Sequence, residues 1–137
     1  MKNKQFHISS IILTILAGLT IIFIFIRSMQ SMTDSSNESK WVMELLRPLL
    51  SPIVGTENFT ENLVRKLAHF TEFAALGAEL SGLLISWRRV RFQGYVNILL
   101  MATGTALLDE TIQIFSGRGP AIIDVWIDTA GAVFGII

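Results

Sequence analysis

The sequence predicts an all-α, polytopic membrane protein. Four transmembrane helices form a small bundle, with an interfacial amphipathic helix between the first and second. The first observation behind this is composition. The 137-residue chain is 51% hydrophobic and 16% charged, with a mean hydropathy of +0.55, which suits lipid better than water as a solvent. The second is segmentation. Four apolar stretches, about 8–26, 67–87, 93–115 and 121–137, approach the ~20 residues needed to cross hydrocarbon. The third is the placement of charge, which gathers in three short strings at one end of three of these stretches. Ionisable groups in hydrocarbon are costly, so such strings point to function. A single domain is expected over 1–137.

The elements follow in order. Met1 to His7 is a short basic tail, and 8–26 carries no charge. A secretory h-region runs only ~7–15 residues and ends at small residues. This stretch is longer and ends in Arg27-Ser28-Met29-Gln30, so it is expected to be a retained first membrane helix. The long connection, about 28–62, opens with a polar run (Ser31, Thr33, Asp34, Ser35, Ser36, Asn37) that reads as a flexible loop. Its second part is apolar at Trp41, Val42, Leu45, Leu46, Leu49 and Leu50. That spacing gives an amphipathic helix lying in the interface, with Trp41 at headgroup level. It serves as a cover on the bundle or as a lid. Pro48 is expected to interrupt it and Pro52 to end it. Asn58-x-x-Glu61 reads as a capping box for the second membrane helix. The last stretch, 121–137, is barely long enough and has no closing polar residues, which fits a sequence that stops inside its fourth span.

Orientation is read from Lys and Arg in the flanks. One side has Lys2, Lys4, Arg88, Arg89 and Arg91. The other has Arg27, Lys40, Arg47, Arg65, Lys66 and Arg118. Arg65, Lys66 and Arg118 belong to the charged strings; setting them aside leaves five against three. The N-terminus is therefore expected in the cytoplasm of a multi-pass cell-membrane protein. Alternation then brings the start of the second span, the end of the third and the start of the fourth to one extracytoplasmic face.

Those three places carry the strings. On the second span Arg65, His69, Glu72, Leu76 and Glu79 recur at spacings of four, three, four and three, so they share one helix face. That face must point into the bundle or a wet cavity. His69 and Glu72 are close enough to hydrogen-bond or to share a ligand, whereas Arg65 and Lys66 can snorkel to lipid phosphates. Glu79, deeper, is expected to be protonated or paired. On the third span Asp109, Glu110 and Gln113 lie within one turn. Two adjacent carboxylates there repel each other and face the negative end of the helix dipole. Arg118, framed by Gly117 and Gly119-Pro120, is the expected counter-charge. On the fourth, Asp124, Asp128, Gly131 and Gly135 share a face. The G-x-x-x-G spacing allows a close helix approach that draws the aspartates towards the bundle axis.

Arg65, Lys66 and Arg118 supply three positive charges against five carboxylates at Glu72, Asp109, Glu110, Asp124 and Asp128. A low-dielectric pocket does not hold that excess, so protons, a cation or a cationic ligand group must offset it. His69, Glu72, Asp109, Glu110 and Asp124 are the candidate ligands for a divalent cation, the one cofactor the residues suggest. Without cysteine there is no disulfide, iron–sulfur cluster or thiolate site. No P-loop, G-x-G-x-x-G after a strand, H-E-x-x-H or G-x-S-x-G is present. With a net charge of zero, no nucleic-acid partner is expected.

Taken together the strings resemble the VanZ-like family of bacterial membrane proteins. The matching residues are Arg65-Lys66-Leu67-Ala68-His69-Phe70-Thr71-Glu72-Phe73-Ala74-Ala75-Leu76-Gly77, then Asp109-Glu110-Thr111-Ile112-Gln113-Ile114-Phe115 with Gly117-Arg118, then Asp124-Val125 with Gly131 and Gly135. They cover the chain from Arg65 to its end. Asp128 departs from the pattern, which usually has Asn there, and adds a negative charge. The resemblance implies a role in the cell envelope. The family's namesake is linked to resistance to teicoplanin-type lipoglycopeptides, antibiotics that act outside the cytoplasmic membrane.

Three functions fit these residues. In the first, a polar pocket binds a membrane lipid or lipid-linked envelope precursor through Arg65, Lys66, His69, Glu72, Asp109, Glu110, Gln113, Arg118, Asp124 and Asp128. In the second, an intramembrane enzyme cleaves a lipid-linked phosphate or glycosyl bond, with His69, Glu72, Asp109 or Glu110 as general base and Arg118 stabilising developing charge. In the third, the charges pair internally in a structural or partner-binding protein.

Overall fold

The computed structural model describes residues 2–88 and 90–137. Met1, which opens the N-terminal tail, and Arg89, counted in the basic flanks, lie outside the described residues. Five α-helices follow in order: α1 (Lys2–Ser28), α2 (Met32–Val54), α3 (Glu61–Ser86), α4 (Phe92–Phe115) and α5 (Ile122–Ile136). There is no strand among the described residues.

α3 is the hub and packs against every other helix, most extensively against α5. Cross-contacts give the directions. Ser10 meets Ser86 and Thr20 meets Glu79, so α1 and α3 are antiparallel. Glu110 meets the Ala121 backbone and Thr103 meets Thr129, so α4 and α5 are antiparallel too. Lys66 lies by Asp124 and Ser81 by Ile136, so α3 and α5 run together. Phe73, Leu76, Leu80 and Leu84 of α3 form the centre of the core. Ala17 and Ile24 of α1, Ile98, Ala102 and Ala106 of α4, and Ala132 of α5 close around them.

Much of the outside is apolar as well. Ile11, Ile15, Leu19, Ile22 and Ile26 are each more than half exposed along α1, as are Leu100, Met101, Leu107 and Leu108 on α4. Rows of exposed large apolar side chains such as these mark an interaction or membrane surface. Ile8–Ser28 and Phe92–Phe115 are long and apolar enough to cross a membrane. α3 does not meet that measure, since Arg65, Lys66, His69, Glu72 and Glu79 lower its hydropathy. α5 has only 15 residues. Two apolar spans of the expected four are thus seen by length and composition.

The connection between the first two expected spans differs most from the sequence reading. The polar run is not a loop, because α2 already starts at Met32. The Ser31 hydroxyl accepts the Asp34 N–H, and Asp34 adds an acid to the first turn, both favourable at a helix start. Pro48 and Pro52 lie inside α2. The carbonyls they leave without a donor belong to Glu44 and Pro48, both exposed, so solvent can satisfy them and the ladder continues. The amphipathic character holds: Ser35 and Ser39 are buried, while Trp41, Leu45, Leu49 and Ile53 form an exposed apolar row. The cap of α3 is also shifted. Thr60, not Asn58, accepts the Leu63 N–H, and the Asn58 amide closes the end of α2 on the Val54 carbonyl.

Candidate functional site

The three charged strings meet at one end of the bundle, where the C-termini of α1 and α4 face the N-terminal turns of α3 and α5. Lys66 on α3 pairs with Asp124 on α5 at 3.1 Å. His69 Nδ1 lies 3.7 Å from Asp109 Oδ2 on α4 and 3.6 Å from Asp128 Oδ1 on α5. These two separations are too long for hydrogen bonds.

The turn between α4 and α5 explains part of this convergence. Gly117 adopts φ 74°, the left-handed conformation that a non-glycine residue enters only at a cost. The Arg118 N–H then reaches back to the Gln113 carbonyl at 3.0 Å, which ends α4 in a Schellman-type cap. The chain reverses, and the start of α5 comes to rest beside the end of α4. Glu110 Oε2 accepts the Ala121 N–H at 2.8 Å. Asp109 is held by Ser28, whose hydroxyl donates to its Oδ1, and by Gln113, which donates to Oδ2 at 2.8 Å. Gln113 Nε2 also approaches Glu110 at 3.1 Å. The two α4 acids are therefore served by donors from α1, α4 and α5.

The α3 face turns inward, with Leu76 fully buried on it. Its polar members separate, however. Glu72 does not join His69; it turns to Arg27 of α1, 3.2 Å away. Glu79, deeper, accepts from Thr20 at 3.0 Å. Arg65 donates to Asn62 at 3.1 Å on its own helix.

Three glycines bring α3 and α5 into backbone contact. A Cβ on Gly131 would strike the Phe70 carbonyl, one on Gly135 the Ala74 carbonyl, and one on Gly77 the Ala132 carbonyl. With no side chain between the helices, Asp128 sits one turn before this seam, fully buried.

Arg118 differs from expectation. It is buried, yet no carboxylate oxygen lies within ion-pair distance of it among the described residues. Its guanidinium donates instead to the Arg27 carbonyl at 3.4 Å. Burial lowers its pKa from the ordinary arginine value, and Arg65 adds to that, while Asp109 and Glu110 act in the opposite sense.

Two site residues escaped the sequence reading. Arg27 had been counted only as flanking charge, yet it bridges Glu38 of α2 at 3.1 Å and Glu72 of α3. Ser28, fully buried, joins Asp109 and receives the Ser116 hydroxyl on its carbonyl at 2.7 Å. Their position, at the end of the first apolar stretch and on the same side as the strings, was the available signal. Adding Arg27 and Glu38 leaves the excess of acids unchanged. Of the candidate metal ligands, His69 and Asp109 come together and Asp128 joins them. Glu72, Glu110 and Asp124 are committed to Arg27, Ala121 and Lys66.

Two cavities flank α2. One of about 470 Å³ is lined by Met32, Thr33, Ser36, Asn37, Lys40, Glu61 and Arg65. The other, about 380 Å³, lies between Trp41, Val42, Val64 and Ala68 on its apolar side and the Arg27–Glu38 pair on its polar side.

Compared with known proteins, residues 13–137 match the family model described as VanZ/LLP1. The match begins well before Arg65 and takes in α2 and most of α1. No curated protein matches the chain, and no solved structure does.

Proposed function

Since the chain belongs to the VanZ/LLP1 family, we propose a four-span membrane protein that binds a lipid-linked envelope ligand at its extracytoplasmic face. The N-terminus and the α3–α4 turn lie in the cytoplasm, and α2 lies in the outer interface. The observation that carries this reading is the convergence of the strings beside a cation-bearing cleft. Lys66–Asp124 and Glu110–Ala121 tie α3, α4 and α5 together. Next to them Lys40 and Arg65 line the same open cleft. Arg65, committed only to Asn62 on its own helix, offers a fork of donors suited to a phosphate. The apolar cavity on the other flank of α2 has room for part of a hydrocarbon chain. Altered tolerance of teicoplanin-type lipoglycopeptides is the cellular consequence attached to this reading.

The test is retention of a polyprenyl phosphate by the purified protein in nanodiscs, read by native mass spectrometry. Wild type retains it, and Arg65→Gln loses about tenfold in affinity, as expected for a lost charge-assisted contact. Equal retention by the two proteins, or none by wild type, contradicts the proposal.

A second reading, an intramembrane enzyme acting on the same class of lipid, is favoured by His69. Its imidazole stands 3.7 and 3.6 Å from two fully buried carboxylates, and a hydrogen bond to either one, tightened on substrate binding, would orient it as a general base. Release of phosphate or sugar from a lipid-linked substrate, lost in His69→Ala, would select it over simple binding.

A further inference from the structure

We propose that His69, Asp109 and Asp128 form a site for one divalent cation of the borderline class, Zn2+ or Mn2+. The inference stands on side-chain geometry and does not depend on the lipid ligand proposed above.

The three residues come from α3, α4 and α5, and one donor atom of each lies within 4.8 Å of the other two. For ligands about 2.0–2.2 Å from an ion, the 3.6 and 3.7 Å separations from His69 Nδ1 correspond to angles near ~120° at the metal. The same distances leave the imidazole and the carboxylates too far apart to satisfy one another. Asp128 points to a ligand independently of the cluster. It is fully buried, and neither of its oxygens meets a hydrogen-bond donor among the described residues.

Charge gives the second argument. When ionised, Asp109 and Asp128 carry two negative charges, and no Lys or Arg side chain lies within ion-pair distance of either among the described residues. Lys66 serves Asp124, Arg27 serves Glu72 and Glu38, and Arg118 is held at the Arg27 carbonyl. A divalent ion supplies the missing charge at the right point. Ser28 and Gln113 already orient the Asp109 carboxylate, the outer-shell support that metal-binding carboxylates ordinarily have. One imidazole and two carboxylates favour a borderline ion over Ca2+ or Mg2+, which take oxygen donors. Three protein ligands also leave a coordination position open, and the only partly exposed member, His69, marks the side from which it is reached.

The full chain, purified in detergent and stripped with chelator, is titrated with ZnCl2 and with MnCl2 by calorimetry. Bound metal is counted by elemental mass spectrometry. The expected result is one ion per chain for wild type, with affinity reduced at least about tenfold in Asp128→Asn and in His69→Gln. Glu79→Gln, a control at a half-buried acid outside the site that is paired with Thr20, binds as wild type does. Failure of wild type to take up a stoichiometric ion overturns the proposal, and so does unchanged affinity in both site variants. If one variant fails to fold, the other decides together with the wild-type titration.

Discussion

Glu110 near the end of α4 accepts the backbone N–H of Ala121 at 2.8 Å and so caps α5. Ala121 has no side chain able to do this itself. The arrangement resolves a conflict visible in the sequence, where Asp109 and Glu110 sit at the negative end of the α4 dipole. Glu110 is also at the positive end of α5, so the second dipole opposes the first. The acids are stable there because another helix starts beside them.

Glu110→Ala should therefore lower the unfolding free energy by about 1–3 kcal/mol, as expected for a lost charge-assisted bond to a part-buried backbone donor. Glu110→Gln keeps an acceptor and should lose no more than half as much. Detergent unfolding curves of the two variants check this; equal losses would contradict the capping role.

The glycine seam predicts opposite outcomes for two glycines. Gly131→Val forces α5 off the Phe70 carbonyl and should cost several kcal/mol, lowering the melting temperature strongly. Gly104→Ala meets nothing within 4 Å and should be neutral or stabilising by up to about 1 kcal/mol through helix propensity. Differential scanning fluorimetry separates the two.

Arg27 and Glu72 should be energetically coupled. Both are partly exposed, so the coupling expected from a double-mutant cycle of Arg27→Gln and Glu72→Gln is about 0.5–3 kcal/mol, at the lower end because solvent screens the pair. Additive single effects would show that the 3.2 Å contact does not contribute to stability.

Much of this site was legible in the sequence, and the boundary has a physical origin. The spacing of Arg65, His69, Glu72, Leu76 and Glu79 defined an inward face because helical periodicity is local. Alternating helix direction placed Asp109, Glu110, Asp124 and Asp128 at one end because it is a property of chain order. Which acid meets which base depends on helix rotation and packing, which no local pattern encodes. Arg27 therefore took Glu72 while Arg118 turned to a backbone carbonyl. The start of α2 was obscured for another reason: Ser31 and Asp34 are polar enough to resemble a loop, although the same residues cap a helix. Pro48 and Pro52 suggested a stop, yet the helix runs through both, with the residues four positions behind them, Glu44 and Pro48, exposed to solvent.

The central claim is that the converged strings open to the outside of the cell membrane. The chain has no cysteine, so single cysteines can be labelled without background. Gly119 lies in the α4–α5 turn, where a side chain meets nothing within 4 Å, and Val90 is exposed between α3 and α4. A membrane-impermeant maleimide should label Gly119→Cys on right-side-out vesicles and Val90→Cys only after permeabilisation. Labelling of Val90→Cys on sealed vesicles with protection of Gly119→Cys would contradict the account.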